Sequence, residues 1–462
     1  MSHITRPAWT TRLVAIALGS VVSVAALSLP VRAFDSVADV QPRPDAWLLA
    51  PNSSIDLPAS PKSVDAERAA LARIVAKRTA DDIALHRWWS VGGPVHRWNE
   101  LALQEMQESF VVLPMAARHL ALLHVALDDA AAAARGRRPR TGAPANQTVD
   151  AALNTKRTDT LQLLAPSEHA AVAITAAEVL GYLFPARAQH FAAKAEEAIE
   201  ARLRAGVELP AAVTAGRAVG HRVGTLAIAR GKSDGSDTKW AGTIPDGPGA
   251  WKGTNPIAPA AAKWTPWVLS SPSEFRPAPP PAVGSDAVKA ALAELKSFAR
   301  TPKSSHRAVY WEVHGGARAH TLWNEIARTK LLEHGFAPEM AARVLAVLNV
   351  AMADAGTACW DAKYTYWYIR PSQLDADLKA LFPPPNHPSF PAAHGCYSTA
   401  AATVLARIFP RDGESLRSLG KEAAEARVWA GIHYRFDIDA GQEIGRKVAE
   451  KALARAFMAK TN

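Results

Sequence analysis

Residues 323–355 read WNEIARTKLLEHGFAPEMAARVLAVLNVAMADA, and residues 98–130 read WNELALQEMQESFVVLPMAARHLALLHVALDDA. The stretches lie 225 positions apart and, aligned without gaps, share sixteen of thirty-three residues. A common Ala/Leu composition explains part of that identity. It does not explain why Trp-Asn-Glu, Met-Ala-Ala-Arg and one aspartate (Asp129, Asp354) recur in a single register. Beyond these stretches, Pro166-Ser167 parallels Pro388-Ser389, and Phe184-Pro185 parallels Phe409-Pro410. Self-similarity at a fixed offset marks a duplicated structural unit.

Apolar residues recur at helical spacing through both copies and their surroundings: 65–90, 97–135, 147–207, 210–230, 286–300, 317–358, 361–380, 394–409, 414–431 and 437–459. Alternating strand patterns are nearly absent. The expected fold class is all-α, with two related helical bundles packed together because each amphipathic half needs a partner for its apolar stripe. The halves span 34–230 and 286–462. Between them, 231–285 holds Gly247-Pro248-Gly249-Ala250-Trp251, Trp264, Trp267 and Pro277 to Pro281, a composition that does not sustain helices. Its tryptophans favour an irregular connector packed on the bundles over a free linker.

Composition sets the remaining bounds. With 48% hydrophobic and 21% charged residues in 462, the chain is globular rather than disordered. A net charge of +10 without a Lys/Arg block favours small anions and gives no argument for nucleic acid. Residues 1–33 carry Arg6 and Arg12, an apolar run from Leu13 to Leu29, and a small-x-small end at Val31-Arg32-Ala33. This reads as a secretory signal peptide and hence a secreted or periplasmic address, the alternative being an uncleaved anchor. No later run suggests a stable membrane span in the mature chain. Two cysteines, Cys359 and Cys396, exclude a disulfide framework and a Cys-rich zinc site, and leave one bridge open.

The second half concentrates unusual residues in three places. Lys363 and Arg370 lie seven apart, two helical turns, so both cations are expected on one helix face before Pro371 ends it. A solvated basic face gives the same pattern. Asn386 to Gly395 is a proline-held loop leading into a helix that begins near His394; such an N-terminus offers free N–H groups to an oxyanion, with His394 placed to move a proton. A buried structural histidine is the plainer alternative. Finally, Arg427 precedes His433, and Asp437 follows four later, where a carboxylate one turn away orients an imidazole. Local charge pairing with Arg435 and Asp439 remains an alternative. Together these residues describe an enclosed site for phosphate or a phosphate-like anion such as vanadate.

The composite resembles the superfamily shared by vanadium-dependent haloperoxidases and type 2 phosphatidic acid phosphatases, whose signature is K-x6-R-P, P-S-G-H and S-R-x5-H-x3-D. Lys363-x6-Arg370-Pro371 matches in full; Arg427-x5-His433-x3-Asp437 matches except that Ala426 replaces Ser; the middle motif is Pro391-Ala392-Ala393-His394. The resemblance implies that Lys363, Arg370, Arg427 and the Ala393 N–H bind the oxyanion. It makes His433 the vanadium ligand or phosphorylated nucleophile, His394 the acid–base and Asp437 the group orienting His433. It also implies that Trp360, His387 and Phe390 line a halide or substrate pocket, and that Ser271 to Pro277 belongs to the connector of bacterial members. Ala392 removes a hydroxyl donor to the oxyanion. In the first half, His169, Arg217 and His221 stand in roughly parallel places, without Lys-x6-Arg-Pro, as in a structural copy lacking the site.

The resemblance implies a haloperoxidase-type oxidoreductase using vanadate, hydrogen peroxide and a halide or small organic acceptor. A periplasmic acid phosphatase, working through a phosphohistidine with phosphate in the same cage, is the alternative. A degraded oxyanion-binding or structural protein is a third reading, supported by Ala392 and Ala393. The oligomeric state is not readable.

Overall fold

The computed structural model describes residues 40–50, 53–136, 149–154 and 163–459. The expected signal peptide, 1–33, lies outside them. The first half contains α1 (Val64–Val75), α2 (Ala80–Ser90), α3 (His96–Glu108), α4 (Leu113–Gly136), α5 (Glu168–Leu183), α6 (Ala188–Arg204) and α7 (Pro210–Ser233). The second contains α8 (Asp286–Ser297), α9 (Pro302–Glu312), α10 (Ala319–Glu333), α11 (Pro338–Tyr366), α12 (Ala393–Ile408), α13 (Gly413–Trp429) and α14 (Arg435–Ala456). A small antiparallel ribbon, β1 (Val40–Pro42) with β2 (Phe457–Ala459), ties the two ends of the described chain. The fold is thus two related helical bundles with an irregular connector, as the repeat predicts.

The repeat survives residue by residue. Helices α5 and α6 reappear as α12 and α13 with both ends displaced by 225. The same backbone bonds close both copies: Ser167 N–H donates to the Ala212 carbonyl at 2.8 Å, and Ala392 N–H to the Asp437 carbonyl at 2.8 Å. The repeated Trp-Asn-Glu lies at the seam. Trp98 and Trp323 are fully buried, and Asn99 Nδ2 donates to Asn324 Oδ1 at 2.8 Å. Buried amides need partners, and here the second copy supplies the acceptor for the first, while Asn324 Nδ2 donates within its own half to the His320 carbonyl and Asn349 Oδ1.

The repeated aspartates are anchors. Asp129 accepts the N–H groups of Trp47, Leu48 and Leu49; Asp354 accepts those of Trp267, Val268 and Leu269. Both carboxyls are pushed up to about 6, chiefly by burial. Asp354 thereby fastens the connector to α11. Arg276 on Asp361 (2.6 and 2.7 Å) and the Tyr366 hydroxyl on the Pro277 carbonyl (2.7 Å) add further ties. The connector is packed, not loose.

Two glycines decide how the site closes. A Cβ on Gly441 would lie 2.5 Å from the Ala392 carbonyl, and one on Gly445 2.5 Å from the Cys396 carbonyl. Only glycine lets α14 touch the first turns of α12, which brings Asp437 under the loop carrying Ser389.

Helix α11 is long and apolar enough to cross a membrane by length and composition, but that window is entirely buried in the bundle. Cys359 and Cys396 are free, buried thiols, so the bridge left open by the sequence is not formed. Two expectations about helices fail. The segment 361–380 is not one helix: α11 stops at Tyr366, where Trp367 turns left-handed (φ 48°), and Arg370 is extended. Helix α9 falls where the sequence reading placed nothing, although Thr301 followed by Pro302 is a strong helix start.

Candidate active site

Three segments converge beside a cavity of about 170 Å³. Lys363, in the last turn of α11, is fully buried; its ammonium donates to the carbonyls of Pro388 (2.8 Å), Ser389 (3.0 Å) and Pro391. Burial pulls it down to about 8. Arg370 Nη1 donates to the Ile432 carbonyl at 2.9 Å and lies 2.9 Å from His433 Nε2; Nη2 reaches His387 Nδ1 at 3.1 Å. Arg427, in the last turn of α13, pairs through Nη1 with Glu312 Oε2 at 2.5 Å and through Nη2 with the Ala308 carbonyl at 2.9 Å. Its buried Nε has no partner. Burial lowers both arginines to about 10, so all three cations stay charged at neutral pH.

His433 is held from both sides. Its Nδ1 lies 2.8 Å from Asp437 Oδ2, and an arginine N–H faces Nε2. The ring therefore carries its proton on Nδ1 and a lone pair on Nε2. Burial, then Arg370 and Lys363, hold the imidazole well below its usual range, so it is neutral. Asp437 Oδ2 also accepts from the Ser389 hydroxyl (2.5 Å) and the Tyr434 N–H (3.2 Å). Burial raises Asp437 to about 6. His394, in the first turn of α12, lies with Nε2 2.9 Å from the Trp311 carbonyl, which makes that nitrogen the N–H and leaves Nδ1 as its base. Burial and Arg427 keep it neutral too.

Trp360, His387, Ala393, His394, Arg427 and His433 all line the cavity. Lys363 and Arg370 do not; they stand behind its wall, holding the 385–391 loop and His433. The expectation that Lys363 and Arg370 share one helix face is corrected by the end of α11 between them. Phe390 is also corrected: it packs with Tyr366 and Phe436 in a separate apolar cluster, away from the cavity. Ala392 caps α12 with no side-chain bond.

Sequence reasoning missed Ser389, Glu312 and the remaining wall. Glu312 sits at the end of α9, 36% exposed as a side chain, and pairs with Arg427. Val112, Leu113 and Pro114 of the first half and Ile257 of the connector make one side of the cavity apolar. No local signal in the sequence links these residues to a site whose His433 lies 176 positions from Ile257 and 321 from Val112. Conversely, Arg217 and His221 are not site counterparts; they pair with Glu196 and Glu178 on the exposed face of α7.

The class of the fold follows from comparison. Residues 414–460 match the family model of the VCPO second helical-bundle domain. The crystal structure of the first bacterial vanadium-dependent iodoperoxidase superposes with a TM-score of 0.61 at 22% identity, covering 80% of this chain and 97% of that one. A holo-type bacterial vanadium-dependent chloroperoxidase gives 0.55 at 14% identity, covering 74% and 92%. This is the fold of the vanadium-dependent haloperoxidases. A 57-residue stretch is also 39% identical to the non-specific acid phosphatase of Salmonella typhi and 37% identical to that of Salmonella typhimurium. That stretch is 12% of this chain and spans 23% of the length of either phosphatase. Fold and matched domain are those of the superfamily that the signature resembles.

The donor set fits a bound oxyanion such as vanadate. It combines an orphaned buried Arg427 Nε, the lone pair of a neutral histidine and the first-turn N–H groups of α12, within a cluster where three cations outweigh two carboxylates.

Proposed function

We propose that this chain is a vanadate-dependent haloperoxidase-like enzyme, exported from the cytoplasm, acting on hydrogen peroxide, a halide and a small organic acceptor. The observation that carries the proposal is His433: neutral, pinned through Nδ1 by Asp437, with its Nε2 lone pair held by the Arg370 guanidinium at 2.9 Å on the wall of the cavity that Arg427 also lines, where a central atom would replace that contact. Vanadate, when bound, supplies Lewis-acid activation of peroxide toward halide. The chain's part is positional and protonic. His433 holds the group, and Arg427 with the Ala393 N–H neutralises its oxygens. Arg370 and Lys363 fix His433 and the loop rather than touch solvent. His394 accepts and returns a proton at Nδ1. The apolar wall of Val112, Leu113 and Ile257 suits an apolar acceptor at the mouth.

The Salmonella match favours one second reading, phosphomonoester hydrolysis. There the monoanionic phosphoester gives its proton to His394 Nδ1, His433 Nε2 attacks phosphorus as the ester P–O bond breaks, the leaving alkoxide takes that proton from His394, and water, deprotonated by His394 Nδ1, then cleaves the phosphohistidine. Bromide oxidation with vanadate and peroxide, set against hydrolysis of p-nitrophenyl phosphate without vanadate, separates the two. Vanadate-dependent bromide oxidation lost in His433→Ala supports the first. Hydrolysis alone supports the second, and neither activity refutes both.

A further inference from the structure

The 225-residue register places a counterpart opposite four residues that build the site. Arg427 maps to Arg202, His433 to Glu208, Ala392 to Ser167 and Asp437 to Ala212. The backbone supports this pairing independently. Val207 N–H donates to the Arg202 carbonyl (3.2 Å) as Ile432 N–H does to Arg427 (3.1 Å), and Gly206 and Gly431 are both left-handed, at φ 71° and 75°. The parallel drawn from sequence between Pro166-Ser167 and Pro388-Ser389 is thus three residues off; the true partners are Pro391 and Ala392.

In this counterpart a glutamate replaces the histidine and turns inward. Glu208 Oε1 lies 3.0 Å from Arg202 Nη2, and Oε2 accepts from the Ser167 hydroxyl at 2.5 Å. The side chains are only 10% and 4% exposed, and the Nε and Nη1 atoms of Arg202 are buried with no partner. A guanidinium, a hydroxyl at a helix N-terminus and a carboxylate between them form an occupied anion site. The serine is the hydroxyl that the second-half motif lacks.

We propose that the first half contains a closed copy of the anion cage, with the Glu208 carboxylate as its built-in ligand. Without that carboxylate the site takes a small oxyanion, inorganic phosphate or a carboxylate such as acetate. The built-in ligand limits the natural chain to one bound anion. The inference rests on the reading of the second-half cage as an oxyanion site, but its test is separate.

The test compares the mature chain with Glu208→Ala by calorimetric titration of inorganic phosphate. The expected result is one more phosphate per chain in the variant than in the natural protein, with Ser167→Ala weakening the added site about tenfold. Arg202→Met with Glu208→Leu, which removes both charges together, abolishes the added site while the protein stays folded. A folded Glu208→Ala chain that binds no additional phosphate overturns the proposal. Should Glu208→Ala be too unstable to titrate, acetate or phosphate at millimolar concentration restores its thermal midpoint; absence of rescue by either also overturns it. If the natural chain binds none and the variant binds one, the closed cage stands and the second-half reading fails.

Discussion

Asp437→Asn isolates charge from geometry at the candidate site. One oxygen, Oδ2, accepts from Ser389 (2.5 Å), His433 (2.8 Å) and Tyr434 (3.2 Å), while Oδ1 has no partner. An asparagine with its oxygen in the Oδ2 position keeps all three bonds and places its amide where nothing is displaced. What it loses is the charge assistance, about 1 kcal/mol per bond and about 3 kcal/mol for three. Spread on the transition state, that is roughly a hundredfold in kcat. The burial that raises Asp437 is relieved in the neutral variant, while its amide takes the partnerless Oδ1 position at a cost of about 1–3 kcal/mol, so the thermal midpoint falls by only a few degrees. The assay is vanadate-dependent bromide oxidation, with p-nitrophenyl phosphate hydrolysis in parallel and unfolding followed by circular dichroism. Full turnover in a folded Asp437→Asn would refute the role given to this carboxylate.

Lys363→Met strands three buried carbonyls, each worth about 1–3 kcal/mol unpaired, so the thermal midpoint should fall by about 3–9 °C; an unchanged midpoint shows that the loop does not depend on it. Ala392→Ser restores the cap that Ser167 makes on Ala170 N–H (3.0 Å) and should add about 1 kcal/mol, a rise of about 1 °C; a lower midpoint contradicts the capping account. Burial holds His96 and His320 at about 4, and His119 and His124 at about 3, with the three site histidines also depressed. Their unfolded forms bind protons below about 6.5, so stability falls as pH drops from 7 toward 5. The raised Asp129, Asp354 and Asp437 oppose this between about 6 and 4, but are fewer. Calorimetry should show net proton uptake on unfolding at pH 6, and release there contradicts the balance.

The duplication and the helical class were legible because Trp-Asn-Glu and Met-Ala-Ala-Arg recur in one register, and that register proves to hold through Gly206 and Gly431. The His433–Asp437 contact was legible because four residues separate them at a helix start. The closed first-half cage was not, since its key residue is glutamate rather than histidine and matched letters drew the alignment to Pro388-Ser389. Lys363 and Arg370 misled because seven-residue spacing was read as helix, while Trp367 turns left-handed between them. Phe390 misled because neighbourhood in sequence is not orientation: the loop aims it into the cluster with Tyr366 and Phe436. Glu312 and Val112 come from distant segments, which only tertiary packing brings to the cavity.

The most direct measurement is a crystal of the protein soaked in vanadate, beside one of His433→Ala. Density bonded to Nε2 of His433, next to Arg427 and the start of α12, and lost in the variant, is the expected result. Vanadate found elsewhere, or none in a well-ordered natural protein, would contradict the account.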